Sequence, residues 1–358
     1  MDIDPPKSSW TPEMALRSKA QVRLEEWKTL DIQEAWRKQS EYMHASAPAD
    51  LRTWTTLTLP YQAHSNQPLP SMKEIRGASN LDAINGGHHE AENLLFLAEK
   101  RPELRIPTVL AVWPTTEEGP RVIYCLMINF IEGIPLDDEK FAELPIHAQD
   151  TICAKVSSQI RYLRELPSEG YYGRVHGQGW LCPPTGIELM TSTSDVVRGP
   201  YKTYEEFISA IYLAHQVQRA IANISPEWHP KEVERTAKFR SIFPDWNPHE
   251  PKLTWIDPKI DNMIARQIKG DDGSEDWEVF LIDWECTGWY PAWVQGLQFD
   301  FRGNILIRDY TQPVIKGHGP SFKSHREPAI QQMMTKDFDP NPDRERLDFI
   351  QEVDWHFF

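Results

Sequence analysis

The chain has no glycine before Gly77, although it carries 18 in all. Loops whose backbone must approach a ligand closely usually rely on glycine, so residues 1–76 hold no loop of that kind. Cysteine is also scarce. The four present, Cys125, Cys153, Cys182 and Cys286, are scattered without metal-ligand spacing, which excludes a disulfide framework or a zinc knuckle as the organising device. No stretch reaches the ~18 apolar residues of a membrane span. The start, MDIDPPKSSW, is acidic and polar where a secretory leader would be basic and then apolar. Basic residues are outnumbered, 38 Lys and Arg against 53 Asp and Glu, for a formal net charge of −15. Nonspecific nucleic-acid binding needs a basic footprint, so that class is excluded, whereas a cationic small molecule would be compatible. A soluble cytoplasmic protein with no nucleic-acid or membrane partner is expected. The signatures GxSxG, HExxH, GxxxxGK[ST] and GxGxxG are absent.

What remains is a globular composition, 40% hydrophobic with 14 tryptophans, at a length of 358 residues that suits about two domains of ~150 residues each. Three regions follow. Residues 1–50 predict a helical extension, with Thr11 as cap and Pro12 in the first turn of TPEMALRSKAQVRLEEWKTL. Residues 51–130 mix the alternating LRTWTTLTL, the helical HEAENLLFLAEK and the strand-like TVLAVW and RVIYCLMINF around the turn-rich PTTEEGP. Residues 131–358 are mostly helical, as in HAQDTICAKVSSQIRYLREL and YEEFISAIYLAHQVQRAIA. The exception is a hairpin, NMIARQIKG and WEVFLIDWE, with Asp272-Gly273 as its turn.

One polar island interrupts these apolar runs. LTWIDPKIDNMI sets Asp257, Asp261 and Asn262 together, and Asp283 closes the strand VFLID. Pairing of the hairpin brings Asn262, which opens one strand, close to Asp283, which ends the other. An amide and a carboxylate so placed can hold magnesium, a hard ion that takes oxygen ligands. Asp257 then lies at the mouth of the site, placed to accept a proton from an attacking hydroxyl. Taken singly, each of these residues is as well explained by a turn.

Read in order, WIDPKIDNMI and LIDWECTGWYPAW resemble the HGDLHPxNIL and IDWExAGWYPxYW signatures of the aminoglycoside phosphotransferase and choline kinase superfamily. YCLMINFIEGIPL is similar to that family's hinge, RIPTVLAV to the element before it, HEAENLLFLAEK to the preceding helix, and RGPYKTYEEFISAIY to a later one. The resemblance covers residues 80–295. It implies a two-lobed kinase-like α+β fold, with a small sheet-containing amino lobe and a larger helical carboxyl lobe, and an ATP- and magnesium-dependent phosphotransferase acting on a hydroxyl of a small molecule. By the same resemblance Asp257 is the base, and Lys259, two residues on, stands at a spacing similar to that of the lysine that contacts the transferred phosphate in protein-kinase catalytic loops. Asn262 and Asp283 hold magnesium, Glu90 pairs with a phosphate-contacting lysine, for which Lys73 is the candidate and Arg76 the next, and Asn129, Phe130 and Ile131 form the adenine hinge.

The sequence departs from the family at two places. Trp255 and Ile256 replace the His-Gly of HGD, and no glycine stands before Lys73. Both departures keep open a degenerate member, either a binding or scaffold protein or a cleft reused for nucleotide-independent chemistry. Trp284, Trp289, Tyr290 and Trp293 admit two readings, a box for a quaternary ammonium or ordinary core. An amine-bearing substrate is a weaker expectation. The adjacent His88 and His89 are expected at a solvent-facing helix entry, with a metal role as the alternative.

Overall fold

In a computed structural model of the chain, the described residues are 17–44, 56–63, 68–77, 87–117, 123–180, 199–222, 224–242, 248–270 and 273–295. Two helices come first, α1 (Lys19–Trp27) and α2 (Ile32–His44). Ser18 caps α1 in a reciprocal capping box with Gln21, a pairing that satisfies two of the donors every helix start exposes. Thr11 and Pro12, the sequence's candidate start, lie outside the described residues, as does Asp272 of the hairpin turn.

The amino lobe is a three-stranded antiparallel sheet in the order β1 (Tyr61–Gln62), β2 (Val109–Thr115), β3 (Ile123–Ile128). A short helix, α3 (Met72–Gly77), puts Met72 and Ile75 over Ala111, Trp113 and Cys125 of that sheet. The longer α4 (Gly87–Lys100) packs against β2 and β3. Its apolar Ala91, Leu94 and Leu97 recur at the spacing of one helix face, with Glu90 in the first turn and Lys100 in the last complementing the helix dipole.

After the two-residue β4 (Ile134–Pro135) and α5 (Asp138–Glu143), the carboxyl lobe is built on α6 (Ile146–Arg164), α7 (Tyr204–Ala222) and α8 (Pro230–Ile242). Between the last of these and residue 295 lie β5 (Pro251–Thr254), the hairpin of β6 (Met263–Lys269) and β7 (Glu275–Leu281), and β8 (Gly288–Pro291). β6 is flanked by β4 and β7, and β5 pairs with β8. Helices and small antiparallel sheets thus combine in an α+β arrangement, the class expected from the sequence.

One apolar core runs through both lobes, from Leu94 and Leu97 on α4 and Val112 on β2 to Ile152 and Val156 on α6 and Met263, Leu281 and Trp284 around the hairpin. A second, aromatic core joins Tyr172, Trp180, Tyr201 and Phe207 to Tyr290 and Trp293. The amino-terminal helices are bound to the carboxyl lobe: Val22, Trp27 and Ala35 pack on Val217, Ala220 and Ile221 of α7. Among the described residues no helix is long and apolar enough to cross a membrane.

Candidate active site

Asn262 sits at the centre of the polar island. Its side-chain amide nitrogen donates to the Asp257 carbonyl at 2.9 Å and faces the carboxylates of Asp257 at 3.5 Å and Asp283 at 3.3 Å. Asn262 belongs to a single 3-10 turn, Ile260–Asn262, that leads directly into β6. The amide of Ile282 donates to the Asn262 carbonyl at 3.0 Å, which ties the exit of β7 to the entry of β6 and so brings Asp283 to Asn262. Lys259 reaches Asp257 Oδ2 with its ammonium at 3.0 Å.

Asp257 and Asp283 have φ of 64° and 62°. That left-handed region is uncommon outside glycine, more tolerable for Asp than for bulky residues, and it concentrates at functional sites. Trp255, in the position where the resembling family has histidine, braces both loops. Its indole N–H donates to the Asp283 carbonyl at 3.2 Å and its ring stacks on Trp284. Gln295 accepts from the Trp255 amide and donates to its carbonyl.

Asp257, expected at the mouth of the site, is instead buried with Asn262, whereas Asp283 is exposed. Partial desolvation and the nearby Asp257 charge raise the Asp283 pKa, against the opposing pull of Lys259 and Asn262. Two crowded carboxylates are what a divalent cation relieves. The pair Asn262 and Asp283 offers hard oxygen donors, and magnesium commonly takes only one or two protein ligands, completing its shell with water and phosphate. These residues therefore suit magnesium. Among the described residues there is no group of three or more His, Cys, Asp or Glu that could hold a metal by itself.

Helix α4 holds the Asp283 loop from the other side. Asn93 donates to the carbonyls of Trp284 and Glu285 at 2.7 and 3.1 Å, and the Trp284 amide donates to Glu90 at 3.3 Å. Burial above all, with the charges of Asp283 and Glu285 adding, pushes Glu90 up to about 7, against the hydrogen bond from Trp284. Two residues on, Glu92 accepts from Arg174 at 2.8 Å and from Gln178 at 3.0 Å, all three buried. The sequence marked Trp255 only as a departure from HGD and gave no sign of Asn93 or this ion pair, whose partners lie 82 to 192 residues away.

The remaining sequence candidates fall elsewhere. Lys73 is exposed on α3, and among the described residues it does not pair with Glu90. Arg76 lies on the same helix. The packing of Met72 and Ile75 on the sheet sets that helix's orientation and leaves Lys73 on its outer side. Asn129, Phe130 and Ile131 do connect β3 to β4. The Asn129 amide donates to Thr108, however, continuing the β2–β3 ladder, and Phe130 is 82% exposed. Trp284, Trp289, Tyr290 and Trp293 are at most 1% exposed and form core, so they build no ammonium box. His88 and His89 are buried, contrary to the expected solvent-facing position.

No family model matches the chain, and no curated protein does. Among solved structures it is similar to the aminoglycoside phosphotransferase APH(2'')-Ib in its ADP-bound form, at 12% identity and a TM-score of 0.34 over 89% of this chain and 96% of that one. A likeness at that TM-score carries no weight for fold or activity.

Proposed function

We propose that the protein is a phosphotransferase that moves the terminal phosphoryl group of ATP to a hydroxyl of a small molecule. The observation that supports this reading is the convergence of Asp257, Lys259, Asn262 and Asp283 from two loops 26 residues apart in sequence, with Asn262 between the two carboxylates. Asp257 accepts the hydrogen bond of the incoming hydroxyl and takes its proton as the oxygen bonds to phosphorus and the bond to the nucleotide's bridging oxygen breaks. Lys259, beside that carboxylate, orients the phosphoryl group and offsets its charge. Asn262 and Asp283 would hold magnesium, which when bound neutralises charge on the phosphates. Catalysis of this kind is mostly positioning and electrostatic stabilisation, for which a buried, braced loop is suited.

A second reading is favoured by one observation: Lys73 stands on an exposed helix and no glycine precedes it, so the usual nucleotide cradle has no counterpart there. In that reading the cleft is retained by a binding or scaffold protein, or serves a nucleotide-independent reaction. Thermal stability with and without magnesium-ATP separates the two, because a ligand that binds only the folded state raises its stability. A magnesium-dependent rise in Tm that Asp283→Ala abolishes supports phosphotransfer and directs a screen of alcohols and amino alcohols as acceptors. No rise at millimolar nucleotide removes it in favour of the second reading.

A further inference from the structure

His88 and His89 open α4, and each is only 3% exposed. Among the described residues, neither nitrogen of His88 has a hydrogen-bond partner, nor does Nε2 of His89. The two rings lie 4.0 Å apart, and the ring of His88 lies 4.3 Å from that of Tyr124 on β3. Buried polar groups are normally paired, and an unpaired cluster marks a place where an ion, a water or a ligand belongs.

The unpartnered ring nitrogens at a helix start are the features that point to an anion. Burial, with the Arg174 charge second, lowers His88 to about 4, and burial, Arg174 and His88 lower His89 as well. The rings are therefore neutral near pH 7, each presenting one N–H, at a helix start where the backbone dipole is positive. Of the acidic neighbours, Glu92 is engaged by Arg174 and Gln178, and Glu90 is brought to about 7 by its burial. The same helix carries Glu90 and Asn93, which grip the backbone directly after Asp283.

We propose that the first turn of α4, with the side chains of His88 and His89, is an anion site that receives the phosphates of the donor nucleotide in place of the lysine and glycine loop. This rests on the phosphotransfer reading for its physiological ligand, though not for its chemistry. The site supplies neutral donors and a helix end, a combination that binds phosphate through hydrogen bonds.

Pyrophosphate is the probe, with ATP and adenosine alongside, measured by titration calorimetry on the full chain. His88→Phe/His89→Phe keeps the ring contacts and removes the nitrogens. Wild type should bind pyrophosphate, and the double variant should bind it at least tenfold more weakly, with adenosine affinity unchanged. Equal binding by the variant, or none by wild type, overturns the site and leaves the nitrogens to buried water. In wild type labelled with 15N at histidine, pyrophosphate should shift two imidazole resonances that the single His88→Phe and His89→Phe variants assign. Absence of such shifts overturns the proposal even if the double variant does not fold. Pyrophosphate binding without ATP binding would keep the anion site while removing the phosphotransfer reading. ATP binding indifferent to both histidines would do the reverse.

Discussion

At the scale of single residues, the proposed phosphotransfer makes Asp257 the base, a role that one substitution separates from nucleotide binding. Asp257→Asn keeps the size and the hydrogen bond to a hydroxyl but cannot take its proton. Transfer should fall by roughly 10²- to 10⁴-fold, the usual contribution of general base catalysis, with magnesium-ATP stabilisation intact; an equal loss of both would assign Asp257 to binding. Glu90 carries a second prediction, with its sign set by a folded-state pKa of about 7 against an ordinary value of 4.5. The folded state holds that proton more tightly than the unfolded chain, so this group's contribution to stability falls as pH rises from about 4.5 through about 7. Glu90→Gln removes the ionisation and still accepts from Trp284. Relative to wild type it should gain about 1–3 kcal/mol in denaturant unfolding at pH 8 compared with pH 4, and a pH-independent difference would show that Glu90 is not strained by its burial.

At the scale of elements, α1 is attached to the carboxyl lobe by charge as well as by packing. Lys19 is fully buried, donates to Glu232 at 2.7 Å and lies over the Trp228 ring at 5.1 Å, while Arg23 donates to the carbonyls of Ala220 and Ser225 at the end of α7. Burial alone would raise the Glu232 pKa. The hydrogen bonds from Lys19, the His229 amide and Arg219 outweigh it and hold the group at about 2. Its stabilisation is present above about 4.5 and is lost as pH falls towards about 2. Lys19→Met leaves Arg219 as the remaining cation and should destabilise by about 2–4 kcal/mol, below the full effect of breaking a buried pair. It should also flatten the acid limb of a Tm-against-pH curve.

The same scale shows what the sequence could reveal. α4, α6, α7 and the β6–β7 hairpin follow periodicity in the chain, since apolar residues at helical spacing and a glycine-bearing turn are local signals. Asp257, Asn262 and Asp283 could be placed together because strand pairing fixes which ends meet. α3 was not legible as a helix: six residues are too few for a periodic pattern, and its orientation is set by the sheet under Met72 and Ile75. The two histidines read as polar helix-entry residues and Glu90 as a lysine's partner, whereas in the fold Glu90 meets the loop after Asp283 and His88 the ring of Tyr124.

For the molecule as a whole, the question is what keeps the two lobes in register around the site. Part of the answer is the continuous core, but hydrophobic contact is tolerant of small shifts. The Glu92–Arg174 pair is not. Its side chains are 1% and 2% exposed, Gln178 and Thr56 share the same carboxylate, and the backbone of Gly173 exchanges hydrogen bonds with Trp289 on β8. Arg174 thus links α4, through Glu92, to the strand that follows the Asp283 loop. Removing it alone strands a carboxylate in the core, so Arg174→Met should destabilise by about 3–5 kcal/mol, whereas Arg174→Met/Glu92→Leu, which leaves no buried charge, should recover much of that loss. If the pair sets register as well as stability, the recovered double variant will still show a weakened magnesium-dependent Tm shift. A double variant with both stability and the shift restored would leave the continuous core as the sole determinant of how Asp283 is presented.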